Sequence, residues 1–324
     1  MTFRDNTLKH FSPYLTEQQI DNCRFQAKSL ALFFPFFTLF CQTFYISLLQ
    51  WRTEVPSARR LFMSKVFVSS TLFWGTPLPE TLRLVHQNGL AGLELWAQQF
   101  FLENFQEEEY VQYAKEYGLE STVHACSWDL NLASANAGIR EASVQQVIRS
   151  LELASRIGAR EVTVHPGHMT MVCWREESVR RLHQSLRRIA AASRSLQMPV
   201  SLEVMEKVKK EFVTDPASME EATGPLFSSF FYTLDLAHCD STEEMETFHR
   251  TLPRISKLHI SNRVGPQYHT PLPDGDYDFR ALLPRLKAWG LPMVVEGYDS
   301  TAAHEVFTKN IHFLQEQGGI IEHV

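Results

Sequence analysis

From residue 65 onward, short apolar runs alternate with longer segments whose apolar residues recur at i, i+3, i+4 and i+7. The runs KVFVSS, LAGLELW, LESTVHA, REVTVHPG, MPVSLEV, FFYTLDL, ISKLHIS and LPMVVEG read as strands. Helix-period stretches separate them. PLPETLRLVHQNG is closed by Gly89, EEEYVQYAKEYG by Gly118, and the long REASVQQVIRSLELASRIG by Gly158. A long polar loop is expected after the seventh strand. βα units repeated in strict order predict a parallel sheet closed on itself, a (β/α)8 TIM barrel over residues 63–324. An open doubly wound sheet would place a Gly-rich phosphate fingerprint after the first strand, and VSSTLFWGTP has none.

Residues 1–62 break this pattern and form a divergent, apolar N-terminal extension. Ser29 to Trp51 carries no charge, and its length suits a membrane-spanning helix of roughly 20 residues. Basic residues flank both sides, so charge sets no orientation. Pro35, Gln42 and Gln50 weaken the spanning pattern. Three readings stand: an upstream-start artefact or unstructured extension before Met63, a membrane anchor through 29–51, or a helix packed on the barrel. The protein is expected in the cytoplasm, tethered to a membrane only if 29–51 spans.

The chemistry sits at the strand ends. His124 closes one strand and His165 follows the next. Glu203, Asp235, His259 and Glu296 close the later ones, with His238 and His269 in the loops beyond. A strand that ends in a metal-ligand residue, repeated round a barrel, points several side chains at one rim. Carboxylates with imidazoles suit zinc first, and also manganese, iron or cobalt. The net charge of −6 argues against a broad cationic surface for nucleic acid. The five cysteines form no CxxC pair, which fits a reducing compartment. Cys126, Cys173 and Cys239 read as small buried thiols. The acidic run 107–109 reads as a helix N-terminus favoured by the macrodipole.

These residues resemble the xylose-isomerase-like TIM barrels, also called the AP endonuclease 2 superfamily, and within it the endonuclease IV branch. VHACSWDLNLAS is similar to the segment of the first zinc histidine, His124. VHPGHM carries the His-Pro-Gly motif at His165, SLEVM the bridging Glu203, and DLAH the Asp-x-x-His pair Asp235 and His238. KLHISN and VVEG supply His259 and Glu296. The family's Asp-x-His is here Gln267-Tyr268-His269, which removes one anionic ligand from a third metal site. The resemblance implies one to three divalent metals per chain.

Two chemistries share that core. The first is metal-assisted hydrolysis of a phosphodiester, which the extra histidines His124, His165 and His269 favour. The second is isomerisation or epimerisation of a sugar or sugar phosphate at one metal, with Glu203 and Glu296 moving the proton. Rim segments hold Arg263 and little else that is basic, but many aromatics, including Trp128. A DNA-repair enzyme would need more phosphate-contacting cations. The first expectation is therefore a small-molecule phosphodiester, as for the cobamide-remodelling phosphodiesterases of the superfamily. AP endonuclease activity and a non-catalytic metal-binding barrel rank lower. Glu94, Trp128, Arg263 and Gln267 are candidate substrate contacts.

Overall fold

The structure, a computed structural model, describes residues 65–318 and residue 321. The extension 1–62, with its apolar stretch 29–51, lies outside the described residues. Among the described residues no helix is long and apolar enough to cross a membrane. The barrel strands are β1 Val66–Ser69, β2 Gly92–Trp96, β3 Glu120–His124, β4 Val162–Val164, β5 Val200–Val204, β6 Phe231–Asp235, β7 Ile255–Ile260 and β10 Met293–Val295. They are parallel and close in the order β1-β10-β7-β6-β5-β4-β3-β2. The predicted TIM barrel is thus observed.

The helices are α1 Leu78–Gln87, α2 Ala97–Leu102, α3 Glu107–Glu116, α4 Ala137–Arg156, α5 Arg175–Leu196, α6 Pro216–Thr223, α7 Thr242–Thr251, α8 Phe279–Trp289 and α9 Glu305–Glu316. α4 shows why they form where they do. The Asn136 side chain caps it by accepting from the backbone N–H groups of Gly138 and Ile139. Val144, Val147, Leu151 and Ala154 recur on its buried face. Gly158 then adopts φ 71°, a left-handed conformation that ends the helix. Glu107, Glu108 and Glu109 occupy the first turn of α3, where the helix dipole favours anions.

Alternation along each strand sorts the residues into two populations. One set, including Val68, Leu93, Leu95, Leu202, Leu234, Leu258 and Val295, is fully buried and faces the helices. Each such side chain contributes about 1.5–3 kcal/mol. The other set faces the barrel axis and is mostly polar, with Phe67 and Val294 as apolar members on β1 and β10. It runs in pairs two residues apart: Thr122 and His124, Thr163 and His165, Ser201 and Glu203, Thr233 and Asp235, Lys257 and His259. The upper member of each pair is the rim residue. The lower members interlock, with Thr122 Oγ1 2.9 Å from Glu94 and the Ser201 and Thr233 hydroxyls bonded to each other at 2.5 Å.

Two local features differ from the sequence expectation. The loop after β7 contains an antiparallel hairpin, β8 Asn262–Val264 with β9 Gln267–Thr270. A short helix, α2, follows β2 directly. A register shift also interrupts the β6–β7 pairing: Tyr232 faces Ile255, but Thr233 faces Lys257. The skipped residue is Ser256. Its hydroxyl reaches Glu161 at 3.2 Å, the same carboxylate that meets Lys257 at 3.0 Å. Two consecutive residues therefore turn into the barrel, as a bulge allows.

β2 and β3 approach closely where β2 begins. A Cβ added to Gly92 would lie 2.0 Å from the Glu120 carbonyl oxygen and 2.8 Å from the Phe67 ring. Gly92→Ala is expected to lower stability by about 3 kcal/mol, the upper end for overpacking. Urea unfolding measures it, and an unchanged midpoint would show that the two strands can spread apart.

Candidate metal centre

The barrel brings the eight residues anticipated as ligands into three groups that share members. His124, His165 and Glu203 form one group, Glu203, Asp235, His259 and Glu296 a second, and Asp235, His238 and His269 a third. Within each group one nitrogen or oxygen per residue lies within 4.8 Å of all the others. Glu203 faces two ways. Its Oε2 stands 3.5 Å from His124 Nε2 and 3.2 Å from His165 Nε2, while its Oε1 stands 3.5 Å from His259 Nδ1. Glu296 Oε1 reaches the same His259 Nδ1 at 3.1 Å.

Hydrogen bonds from behind set the rings. His124 Nδ1 donates to its neighbour's carbonyl, Ala125 O, at 2.9 Å, and His238 Nδ1 donates to Val204 O at 2.9 Å. Donation to a carbonyl puts the proton on Nδ1 and leaves Nε2 as the free lone pair. The reverse holds for His259, whose Nε2 lies 2.9 Å from Glu94 Oε1, so that Nδ1 faces the cluster. His269, at a left-handed φ of 59°, sets Nδ1 3.0 Å from the Ser261 hydroxyl. Trp96 lies flat on His124, ring centroids 4.0 Å apart.

Whether these residues fit a metal is decided by the polar atoms left over. Glu203 Oε2, Asp235 Oδ2, Glu296 Oε1 and His259 Nδ1 are buried without a hydrogen-bond partner. An unsatisfied buried group costs about 1–3 kcal/mol, more when charged. Several of them converging on one volume describe a cation site, and the nitrogen and oxygen donors suit a divalent transition metal. The titration behaviour agrees. Burial, together with the Glu296 and Glu203 carboxylates, pushes Asp235 up to about 6 against the pull of His238 and His269. Burial alone would lower His238, but Asp235, Glu203 and Glu206 outweigh it and push it up to about 9. Three carboxylates in one buried space attract positive charge strongly.

The site opens into a cavity of about 560 Å³ lined by Thr71, Trp96, Trp128, Gln267, Tyr298 and most of the ligand set. Trp128 and Gln267 thus stand at the cavity wall, where substrate contacts were expected. Glu94 and Arg263 do not line it. Glu94 is fully buried beneath the rim, its carboxylate held by Thr122, Lys257 at 2.7 Å and His259. Arg263 turns to the carbonyls of Cys239 at 2.9 Å and Gly265 at 3.0 Å. Its guanidinium is already taken up in tying loops together. Cys173 is exposed rather than buried, whereas Cys126 and Cys239 are buried as expected. Sequence reasoning missed Glu206 and Glu211, on the loop after β5, which also line the cavity. Burial and the neighbouring Glu206 raise Glu211 to about 7. No strand-end pattern marks either one.

Residues 82–317 match the xylose isomerase-like TIM barrel family. The chain belongs to that family. An uncharacterized protein of Methanocaldococcus jannaschii is 26% identical over 233 residues, covering 70% of this chain and 86% of that protein. Among solved structures, a D-tagatose 3-epimerase-like protein aligns with a TM-score of 0.66 and 22% identity, over 78% of this chain and 96% of its own. The 3-keto-D-glucoside 4-epimerase YcjR of E. coli aligns with a TM-score of 0.62 and 18% identity, over 78% and 98%. At these identities the likeness to the solved structures concerns the fold. For this xylose isomerase-like barrel, Glu94→Gln keeps the shape beneath His259 but removes the charge. Metal affinity, measured by chelator competition, is expected to fall about 10–100-fold with the circular dichroism unchanged. Wild-type affinity would mean that Glu94 serves only the barrel interior.

Proposed function

We propose that this protein is a divalent-metal-dependent epimerase or isomerase of a small polyhydroxylated carbonyl compound, a sugar or sugar phosphate. The observation that carries this reading is the placement of Glu203 and Glu296. Both line the one cavity, and both reach His259 Nδ1, at 3.5 and 3.1 Å. Glu203 lies in β5 and Glu296 directly follows β10, with β6 and β7 between them round the ring. Two carboxylates that approach one volume from separate strands suit proton exchange at a single carbon. One takes the proton beside the carbonyl, and the other returns it from the opposite face. Glu203, Asp235, His259 and Glu296 would hold the metal, which would polarise the substrate carbonyl and a neighbouring hydroxyl.

The remaining lining residues do work suited to a sugar. Trp96, Trp128 and Tyr298 offer apolar faces to C–H surfaces and keep bulk water from the reacting carbon. Gln267 offers amide hydrogen bonds to hydroxyls. The names of the two solved structures, one an epimerase-like protein and the other an epimerase, support the carbohydrate reading over the phosphodiesterase placed first from the sequence. Zinc, manganese, iron and cobalt all match the donor set, with zinc retained as the first proposal.

One observation favours a second reading. Glu203 divides its two oxygens between the His124–His165 pair and His259. A carboxylate so placed can bridge two metals, which suits hydrolysis of a small phosphodiester. The count of metals separates the readings. One equivalent by elemental analysis, unchanged in His124→Ala and His269→Ala, goes with the epimerase. Two or three equivalents that fall in both variants, with cleavage of bis(p-nitrophenyl) phosphate, would overturn it. Under the epimerase reading, Glu203→Gln and Glu296→Gln each lower the exchange of a ketohexose carbon-bound proton with D2O, followed by NMR, by about 10²–10⁴-fold. Undiminished exchange in either variant would remove that residue from the proton path.

A further inference from the structure

A second chamber of about 540 Å³ lies beside the metal cavity, walled by the loops that follow β3, β4 and β5. The two volumes share His165, Met205 and Glu211, so they adjoin across those three side chains. The residues that line the second chamber are otherwise different. Two of its lining groups have a buried oxygen with no hydrogen-bond partner, Ser127 Oγ and Glu211 Oε2. Polar atoms left unpaired inside a protein are rare and call for a ligand.

The chamber wall is built. Asn131 stitches the β3 loop to the β4 loop: its Nδ2 donates to His168 O at 2.8 Å, and its Oδ1 accepts from His168 N at 3.1 Å and Ala133 N at 2.9 Å. The Ala133 bond lies within the β3 loop, and Thr170 adds a third tie between the two loops by accepting from Ala135 N at 3.0 Å. Gly167 of the His-Pro-Gly motif passes so close that a Cβ would lie 2.7 Å from Asn131 Oδ1. Its φ of 86° also favours glycine. The loops are therefore held apart at a set spacing.

We propose that this chamber is a subsite for a second, uncharged, hydroxyl-bearing group joined to the reacting sugar, so that the substrate is a glycoside-like molecule rather than a free monosaccharide. The inference rests on the carbohydrate reading given above. Its chemistry follows from the lining. Among the described residues, Lys210 is the one Lys or Arg in the lining, against the carboxyls of Asp129 and Glu211, with His165 and His168 the other titratable nitrogens, so no Arg or Lys cluster is there to hold a phosphate. Ser127 and Glu211 present the hydroxyl and carboxyl groups that pair with sugar hydroxyls. The two chambers have nearly equal volumes, each within the range of a small-molecule site. One ring would occupy each.

The test uses two polyols that need no turnover. Sorbitol imitates one open-chain sugar, and maltitol carries a glucosyl group on the same chain. Each is titrated calorimetrically into the full-length protein saturated with manganese(II). Maltitol is expected to bind about tenfold tighter or more. Ile139→Trp fills the chamber from a half-exposed position on α4 and should erase that advantage while leaving sorbitol binding within about twofold. Ser127→Phe fills it from the opposite loop and guards against a folding defect in the first variant. Equal affinities in the wild type, or an advantage that survives both substitutions, would overturn the subsite and leave the epimerase reading standing. Failure of both polyols to bind the manganese-loaded protein would overturn the carbohydrate reading and the subsite with it.

Discussion

Three carboxylates held almost out of water govern this molecule. Glu203, Asp235 and Glu296 converge with His259 at the top of the barrel, each with a buried oxygen that no donor reaches. Burying like charges together is costly unless positive charge balances them. The rest of the site answers that constraint. Imidazoles surround the carboxylates, and their rings are turned by carbonyls and by Glu94 so that lone pairs face inward. Lys257 is wholly buried one layer down between Glu94 and Glu161, and against the burial of Glu94 it holds that carboxyl well below the usual carboxylate range. The barrel axis is thus a ladder of compensated charges, unlike the branched aliphatic filling usual in such barrels.

The legible part of the fold was the strand ends. A strand exposes alternate residues to the axis, so a polar residue two places before a histidine or acid marks the inner face. Ser201 before Glu203 and Thr233 before Asp235 are cases. That pattern survives in a single sequence because it is local. The hairpin β8–β9 was not legible. NRVGPQYHT is polar, its strands are three and four residues long, and they pair only with each other. Glu94 was placed at the end of its strand, but β2 runs on to Trp96, which pairs with His124, so Glu94 lies two residues below the rim, level with Thr122 and under His259. Arg263 was expected to meet a ligand, yet carbonyls from a neighbouring loop reached it first. Glu206 and Glu211 stood in a loop of alternating charge where a solvated turn is the ordinary reading.

Glu203, Asp235, His259 and Glu296 are common to both proposed readings, so what separates the two is the surroundings of that core. Here two surroundings compete. The His124–His165 pair with the two-faced Glu203 adds metal-binding capacity on the β3–β4 side. The aromatic wall of Trp96, Trp128 and Tyr298 shapes a space for a ring with apolar faces. His165 belongs to the walls of both chambers, so a ligand in the second chamber would also meet the imidazole that the second reading needs for metal.

The register shift in β7 carries a consequence for how this barrel can change. Above the shift, Lys257, Leu258 and His259 pair with Thr233, Leu234 and Asp235. Below it, Ile255 pairs with Tyr232. Ser256 is the residue that makes up the difference. Without it Ile255 and Lys257 would be consecutive and would pair with Tyr232 and Thr233 in unbroken register, so Lys257 and His259 would keep the inner face and Leu258 the outer. β7 can therefore lose a residue at position 256 without turning its neighbours over, giving up only the hydroxyl that reaches Glu161, whereas loss of a residue at 257 or 258 would move His259 off the inner face.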